Sequence, residues 1–368
     1  MTASSQSQLQ SSSSSSPVAT PEDRPPLHKV WILASRTHTL TAAVSPVLTG
    51  YHVCASYSPH IHQEHSSELI KVTFAWLLFC VFIQLGTNLH NDYADFVKGA
   101  DDENRVGHAR ATQKGWLTPQ QTASGSNFCL MIAAAIGAKL AQLNSSEGGI
   151  DWDWTIVFII LTSVFNAVAY TGGPHPLGYV DLSNLSIGYS GLGDLFVFLY
   201  FGLVATMMVP YIYVRDVLGE AVSPRDLLGG GNERNEVPVL LRTAFFMALP
   251  VGWLATAIIV VNNLRDRHTD VKAKKLIIAV RFGATFSQVE YGLLVFGSYM
   301  SLPLCLDASS LYSWLPFLSL PLALPQLRAV ALGKKDGADL NMYVGGIARL
   351  QLVFCILLCA ALRMSSPS

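Results

Sequence analysis

Residues 241–270 read LRTAFFMALPVGWLATAIIVVNNLRDRHTD, and this stretch decides the class of fold. Its first part, 241–262, is almost entirely apolar and long enough to cross the roughly 30 Å hydrocarbon core of a bilayer as a helix. The run ends in amides, arginines and the carboxylates of Asp266 and Asp270. Because carboxylates are costly at membrane depth unless a cation is near, we predict a membrane helix with a functional acidic end.

A second apolar run ends in the same way, in NDYADFVKGAD at residues 91–101. On a helix, Asp92 and Asp95 lie three residues apart and therefore project to one face. The same holds for Asp266 and Asp270, four residues apart. Two such pairs that face each other across a cavity offer the oxygen ligands that Mg²⁺ prefers, and Mg²⁺ usually leaves its other positions to water and substrate phosphates. The pattern therefore predicts a site for Mg²⁺ and a diphosphate.

The composition is that of an integral membrane protein. Of 368 residues, 51% are hydrophobic and only 13% are charged, which is unusual for a soluble domain. A search for apolar runs of roughly 20 residues gives about nine candidate membrane spans, so we predict an all-α, multi-pass membrane protein. The sequence does not indicate which membrane holds it. The predicted spans are residues 31–51, 71–90, 126–143, 154–170, 192–214, 241–262, 285–305, 311–332 and 343–362.

The positions of Lys and Arg predict the topology. With nine spans, the N-terminus and the loops after the second, fourth, sixth and eighth spans share one side of the membrane. Fifteen of the 24 Lys and Arg residues lie on that side, which marks the cytoplasmic or equivalent face. Both acidic clusters fall on the same side. A miscounted span between them would have placed them on opposite sides, so their agreement supports the count.

Three regions are expected along the chain. Residues 1–28 are Ser-rich and are predicted to be a disordered tail, 29–363 the membrane domain, and 364–368 a second short tail. A transit peptide is the alternative interpretation of the first region. We favour a plain tail because the stretch contains acidic residues and no Arg before residue 24.

Acidic residues beside membrane spans have other interpretations. They are most often simply solvated, and a cation-coupled transporter or a channel with an acidic ring also places carboxylates in a membrane. Transporters hold such acids near the bilayer midplane and show repeat symmetry. Here the acids lie at helix ends beside basic residues that suit phosphate oxygens, namely Arg265, Lys274, Lys275 and Arg281. This placement favours phosphate chemistry.

Five motifs together are more specific than an acidic pair: NDYADFVKGAD (91–101), RVGHARATQKG (105–115), YTGGP (170–174), GLGDL (191–195) and NNLRDRHTD (262–270). With them, essentially the whole chain beyond the tail resembles the UbiA superfamily of intramembrane prenyltransferases. Within it, the motifs are most similar to those of the 1,4-dihydroxy-2-naphthoate branch of menaquinone and phylloquinone synthesis.

This resemblance implies a nine-helix bundle around a central cavity open to lipid. It implies Mg²⁺ as cofactor, with a polyprenyl diphosphate, an aromatic acceptor and the lipid bilayer as partners; no nucleic-acid partner is expected. The implied reaction moves the polyprenyl group to 1,4-dihydroxy-2-naphthoate with loss of CO₂. The alternatives are transfer to another aromatic acceptor, or a non-catalytic isoprenoid- or sterol-binding member that acts through partner proteins.

The resemblance also assigns roles to residues. The residues expected to be catalytic are Asp92, Asp95, Asp266 and Asp270, and the same four with Asp101 are expected to hold the metal. The residues expected to bind substrate are Arg36, Asn91, Lys98, Arg105, Arg110, Gln113, Tyr170, Asn263, Arg265 and Lys275.

Three features depart from the family pattern. Lys274 stands where the family has Gly, and Ile277 stands where it has a small hydroxyl residue. Residues 180–189 look inserted between the two halves of the central loop. They are either a longer loop over the active face or a retained intron. The long loop 215–239 is expected to be an excursion on the opposite face, without a catalytic role.

Overall fold

The computed structural model describes most of the chain beyond the Ser-rich tail. Arg105, most of the loop before residue 236 and part of the apparent insertion lie outside it, and so do the side chains of residues 38, 59–64, 144, 150 and 236. The described residues are 24–57, 59–101, 106–107, 109–144, 150–177, 182, 184–220, 222 and 236–365.

The described chain is almost entirely helical, which confirms the predicted all-α class. Short helical turns at Ile278–Arg281 and Leu302–Cys305 and one small antiparallel hairpin, β1 (Gln142–Asn144) with β2 (Ile150–Trp152), connect the main helices. The main helices are α1 (Leu27–Ala34), α2 (Thr41–Tyr57), α3 (Pro59–Val97), α4 (Pro119–Ala141), α5 (Trp154–Ala169), α6 (Gly193–Asp216), α7 (Glu236–Lys272), α8 (Gly283–Met300), α9 (311–331) and α10 (Asn341–Ser365).

The helices confirm a multi-pass membrane protein. Within the described ranges, five segments are long and apolar enough to cross a bilayer, and α5 is a shorter apolar helix. The number nine stays a prediction, because α2, α8 and α9 do not meet the same length and composition. The five segments are His65–Val97, Pro119–Ala141, Gly193–Asp216, Val237–Lys272 and Gly337–Ser365.

The predicted first span, 31–51, is wrong as a single helix. The chain breaks between α1 and α2, where Arg36 has φ 50°, a left-handed conformation that is uncommon for a residue with a side chain. Two amide side chains of α3 satisfy carbonyl groups of the break: Asn88 donates at 2.9 Å and Gln84 at 2.8 Å. The break directs Arg36 toward the interior of the bundle, where it lines cavities.

The buried core is centred on α7. Met247, Val251 and Leu254 of this helix are fully buried and pack in one apolar cluster with side chains of α8, α9 and α10. A second cluster joins α2 to α6 around Trp76 and Phe79, whose rings stack 4.8 Å apart. Each helix that crosses the bilayer therefore has one side in the core, and its remaining apolar side chains are left for lipid.

Two glycines let α6 and α7 approach closely. The middle of α6, Phe198–Val204, widens into a π-helix, and a Cβ added at Gly202 would lie 2.5 Å from the Cα of Gly252. Only glycine fits such a backbone contact. The contact brings the start of α6 beside the end of α7, where the Asn263 Nδ2 donates to the Asp194 Oδ1 at 3.2 Å.

Candidate active site

The first acidic cluster lies at the C-terminal end of α3, which closes with a defined cap. The backbone amides of Gly99 and Ala100 donate to the carbonyl oxygens of Phe96 and Asp95 at 2.9 Å and 2.8 Å. This pair of hydrogen bonds, with Gly99 at φ 69°, is the Schellman motif. Asp95 is the residue whose carbonyl oxygen accepts the outer bond, and the residue as a whole is 4% exposed.

The second acidic cluster ends α7 with the same cap. The amides of Lys274 and Lys275 donate to the carbonyl oxygens of Val271 and Asp270 at 3.1 Å and 2.9 Å, and Lys274 has φ 56°. Asp270 therefore occupies the position in its cap that Asp95 occupies in the other. Lys274 keeps the left-handed backbone of the Gly that the family pattern places here, although it carries a side chain.

The two capped helix ends meet at one polar cavity of about 750 Å³. Asp95 of the first cluster and Asp266 and Asp270 of the second line it, so both clusters reach the same end of the bundle. Because the cavity walls come from segments far apart in sequence, only the folded bundle assembles it. Its polar lining is Arg36, Asn91, Asp95, Arg110, Tyr170, Thr171, Tyr189, Asn262, Asn263, Asp266, Thr269, Asp270 and Lys275.

Lys275 bridges the two clusters. Its Nζ lies 3.2 Å from the Oδ1 of Asp95 and 3.6 Å from the Oδ1 of Asp270. Burial alone would lower the pKa of Lys275, but the two carboxylates outweigh burial and hold this pKa above its usual value. The gap between the two aspartates is therefore a place that favours a positive charge.

Tyr189 is a site residue that the sequence did not reveal. Its hydroxyl donates to the Oδ1 of Asp95 at 2.7 Å. The ammonium groups of Lys98 and Lys275 lie 4.6 Å and 4.8 Å from its ring centre, within range of a cation–π contact. Burial lowers the pKa of Lys98, although Asp95 partly offsets this effect.

The segment that carries Tyr189 is tied into the bundle by its backbone. The amides of Ile187 and Gly188 donate to the carbonyl oxygens of Ala169 and Tyr170 at 2.9 Å and 2.8 Å. The Tyr189 carbonyl accepts from the Leu276 amide at 2.9 Å, beside the α7 cap. Residues 184–189 therefore form part of the active face. The sequence hid this role because Tyr189 falls in the apparent insertion.

Arg110 connects two of the predicted acids. Its Nη2 lies 3.1 Å from the Oδ2 of Asp95, and its Nε lies 3.3 Å from the Oδ2 of Asp101. All three side chains are almost fully buried. Asp101 does not line the polar cavity but forms an ion pair with Arg110. It therefore holds Arg110 in place and balances its charge.

Asp92 and Arg265 face a neighbouring cavity rather than the polar one. The Asp92 Oδ2 accepts a hydrogen bond from the Ala111 amide at 3.1 Å. Arg265 makes a bidentate ion pair with the adjacent Asp266, with contacts of 2.7 Å and 2.6 Å. Arg265 also donates to the Asn262 Oδ1 at 2.7 Å, so it fixes an amide that does line the polar cavity.

An apolar cavity of about 1080 Å³ opens directly from the polar one. The two share Arg36, Asn91, Tyr170 and Asn262 on their common border. Beyond this border the wall is largely hydrophobic, so the combined space suits an amphiphile with an anionic head and a long apolar tail. The apolar wall includes Ile83, Ala167, Phe196, Val197, Phe201, Ala255, Ile258 and Val344.

The remaining predicted residues have different outcomes. Arg105 lies outside the described residues. Gln113 lines neither of these cavities. Lys98 does not line the polar cavity, but its Nζ donates to the carbonyl oxygen of Thr171 at 2.5 Å and lies over the ring of Tyr189, and both of these residues line it. Across the described part of the chain, no group of three or more His, Cys, Asp or Glu side chains is arranged to hold a metal ion by itself. The expected five-aspartate metal set is therefore not assembled as one cluster.

An all-helical membrane protein whose acid-and-lysine cavity continues into an apolar channel belongs to the class that handles lipid-like anions inside the bilayer. The UbiA prenyltransferase family matches residues 43–355, so this chain belongs to that family. It is a membrane prenyltransferase.

Several curated relatives match over most of their length. The 1,4-dihydroxy-2-naphthoate octaprenyltransferase of Mycobacterium leprae is 28% identical over 91% of this chain and 96% of its own. The Escherichia coli protein of the same name is 28% identical, over 82% and 85%. The human UbiA prenyltransferase domain-containing protein 1 is 24% identical, over 90% and 84%.

Proposed function

We propose that this protein transfers a polyprenyl group from its diphosphate to 1,4-dihydroxy-2-naphthoate, releasing diphosphate and CO₂. The observation that carries the proposal is the polar cavity, where Asp95 and Asp270 face each other at equivalent helix ends beside an apolar channel. The names of the bacterial relatives support the choice of acceptor.

The polyprenyl tail fits the apolar channel. Transfer of hydrocarbon out of water contributes roughly 0.8 kcal/mol per CH₂, so a tail of several isoprene units stays in the apolar channel or the surrounding lipid rather than in water. Its diphosphate then lies in the polar cavity, because the two spaces share a border. The bundle also exposes many large apolar side chains on its surface, which suits a protein that takes a water-insoluble donor from the bilayer.

The residues present fit a magnesium ion. Lys275 already holds a positive charge between Asp95 and Asp270, and all three acids of the cavity offer oxygen. Mg²⁺ is commonly held by one or two carboxylates together with substrate phosphates, so no larger protein cluster is needed. We assign Asp95 and Asp270, with Asp266 nearby, to this role. When bound, the ion supplies positive charge to the departing diphosphate.

The cationic side chains of the cavity orient the diphosphate. With a metal ion held by the carboxylates, Lys275 would be available to pair with phosphate oxygens, and Arg110 on the same wall and Lys98 beside it would add positive charge. The rings of Tyr170 and Tyr189 line the cavity where the allylic cation forms, and an aromatic face stabilises such a charge.

The test is an assay of purified protein in detergent with geranylgeranyl diphosphate and Mg²⁺, offered in turn 1,4-dihydroxy-2-naphthoate, 4-hydroxybenzoate and homogentisate. We expect a product only, or chiefly, with the naphthoate, heavier by the prenyl group, lighter by CO₂, and absent with EDTA. A product with another acceptor alone would refute the acceptor. Isoprenoid binding with no diphosphate released from any mixture would favour the non-catalytic alternative.

A further inference from the structure

Two neighbouring amide side chains of α7, Asn262 and Asn263, line the polar cavity and have chemically opposite partners. Arg265 donates to the Oδ1 of Asn262 at 2.7 Å. The Nδ2 of Asn263 instead donates to the Oδ1 of Asp194 at 3.2 Å. Because a guanidinium only donates and a carboxylate only accepts, these partners fix which way each amide is turned. The oxygen is the occupied atom in Asn262, and the nitrogen is the occupied atom in Asn263.

Asn263 therefore presents its oxygen to the polar cavity. Asn263 lines this cavity and Asp194 does not, so the Nδ2 that reaches Asp194 is turned away from it. The Oδ1 accepts no hydrogen bond from the residues that the structure describes. Asp266 and Asp270 follow three and seven residues later on the same helix face and line the same cavity. An amide oxygen beside two carboxylates suits Mg²⁺ or Mn²⁺.

Asp194 lies at a position where packing alone favours an apolar residue. It is 5% exposed and lines neither the polar cavity nor the apolar channel. Its side chain has no ion-pair partner among the described residues, and the nearby carboxylate of Glu290 on α8 repels its charge. Its place in the first turn of α6 offsets part of this cost, since a helix N-terminus favours negative charge. A buried acid kept at such a cost in a membrane protein indicates a role.

We propose that Asp194 is a positioning residue of the donor site, which holds the Asn263 oxygen toward the polar cavity as a neutral ligand for the divalent cation. The assignment rests on the proposed function and deepens it. Without Asp194, the Asn263 amide is free to turn and present its NH₂ group, which cannot ligate a cation. Asp194 itself touches neither the cation nor the diphosphate and acts through Asn263.

The test measures binding of Mn²⁺ to the full-length protein in detergent with inorganic diphosphate, from the loss of the electron paramagnetic resonance signal of free Mn²⁺. Mn²⁺ takes the same oxygen ligands as Mg²⁺, and no turnover is needed. We expect Asp194→Ala to raise the Kd for Mn²⁺ about tenfold or more, the usual effect of losing a group that orients a metal ligand. In turnover assays, the Mg²⁺ requirement should shift likewise, whereas the KM for the naphthoate at saturating Mg²⁺ should stay within about twofold.

A double-mutant cycle separates positioning from a general structural role. If Asp194 acts through Asn263, the variant that combines Asp194→Ala with Asn263→Ala should bind Mn²⁺ as weakly as Asn263→Ala alone. Two independent contributions would instead multiply in the Kd of the combined variant. Such a multiplied loss would overturn the inference.

An exchange of the two side chains keeps the buried volume and the hydrogen bond. The combination of Asp194→Asn with Asn263→Asp reverses donor and acceptor but still leaves an oxygen facing the polar cavity. This exchanged protein should bind Mn²⁺ at least as tightly as the unaltered protein. An affinity as low as that of Asp194→Ala would contradict the proposal.

Glu290→Gln is the matched control, because Glu290 is the neighbouring acid and does not line the polar cavity. Its Kd for Mn²⁺ should stay within about twofold of the unaltered value. Unchanged Mn²⁺ affinity in Asp194→Ala, with weakened binding in Asp270→Asn, would overturn this inference alone, and so would equal weakening in Asp194→Ala and Glu290→Gln. No Mn²⁺ binding by the unaltered protein would overturn the metal role in the proposed function and this inference with it.

Discussion

Lys274 has a left-handed backbone conformation, which is unfavourable for a residue with a side chain. It closes the α7 cap at φ 56°, in the left-handed conformation, and its side chain is exposed. That conformation costs a non-glycine residue about 1 kcal/mol. We therefore expect Lys274→Gly to stabilise the protein by about 1 kcal/mol and to leave the cap intact. Thermal unfolding in detergent measures the change.

The matched control for this substitution lies two residues earlier. Lys272 is also exposed but belongs to the last helical turn of α7, where glycine destabilises by about 1 kcal/mol. Lys272→Gly should thus lower stability while Lys274→Gly raises it. If both variants lost stability, the left-handed conformation assigned to Lys274 would be incorrect.

The lowered pKa of Lys98 predicts how donor binding depends on pH. A lysine with a lowered pKa loses its proton as pH rises through a value below the usual figure of about 10.4. Lys275, with its raised pKa, stays charged over the same window. The KM for the prenyl diphosphate should therefore begin to increase at a lower pH than an ordinary lysine would give. In Lys98→Arg, whose guanidinium does not titrate there, the increase should disappear.

Lys114→Arg is the control for that experiment, because Lys114 is exposed and lines none of the three cavities. It should keep the profile of the unaltered protein. An identical profile in Lys98→Arg would show that Lys98 does not contact the diphosphate.

Among individual residues, the sequence predicted site residues best where their spacing along a helix and their position at its end indicated their role. The positions of Asp95 and Asp270 at apolar helix ends predicted two acids that the structure indeed brings to one cavity. Spacing did not show that Asp92, three residues from Asp95, turns toward another cavity, because that depends on the Ala111 amide. Nor did it reveal Tyr189, whose role depends on how residues 184–189 pack.

The close contact between α6 and α7 depends on a glycine in each helix, Gly202 and Gly252. A Cβ at Gly202 would press on the Gly252 backbone, so Gly202→Ala must separate the two helices. We expect a loss of about 1–3 kcal/mol in stability, as for other overpacked contacts, and reduced activity, because α7 carries Asp270 and α6 begins beside Asn263. Unfolding and turnover are measured on the same preparation.

Gly345→Ala is the matched control on α10, since a Cβ there meets no atom within 4 Å. It should stabilise its helix slightly, by up to about 1 kcal/mol. Equal behaviour of the two alanine variants would contradict the close packing of α6 on α7.

Element boundaries followed hydrophobicity only in part. The run that begins at residue 31 is apolar enough for a span, yet it breaks at Arg36 because α3 amides satisfy the freed carbonyl groups. The π-helix in α6 has no signal in the apolar pattern, since widening a turn preserves composition. Both irregular segments contribute residues to the cavities. The apolar pattern therefore predicted helix boundaries and helix geometry least well near the site.

At the scale of the whole molecule, the distribution of basic residues predicts which loops share a side. An epitope inserted at residue 105 and one inserted at residue 230 should be accessible from opposite sides of sealed vesicles. Antibody binding to intact and to permeabilised vesicles measures on which side of the membrane each epitope lies. Accessibility of both epitopes from one side would refute the predicted count of nine spans.

The most direct measurement is turnover of 1,4-dihydroxy-2-naphthoate and geranylgeranyl diphosphate by the unaltered protein, Asp270→Asn and Asp307→Asn, each with Mg²⁺ or EDTA. Asp307 is an exposed loop residue outside all three cavities, and asparagine can keep its hydrogen bond to the Ser309 amide. We predict product that requires Mg²⁺, near-normal turnover in Asp307→Asn and a loss of about a hundredfold or more in Asp270→Asn. Normal Mg²⁺-dependent turnover in Asp270→Asn would contradict the central claim that paired helix-end aspartates hold the metal and the diphosphate.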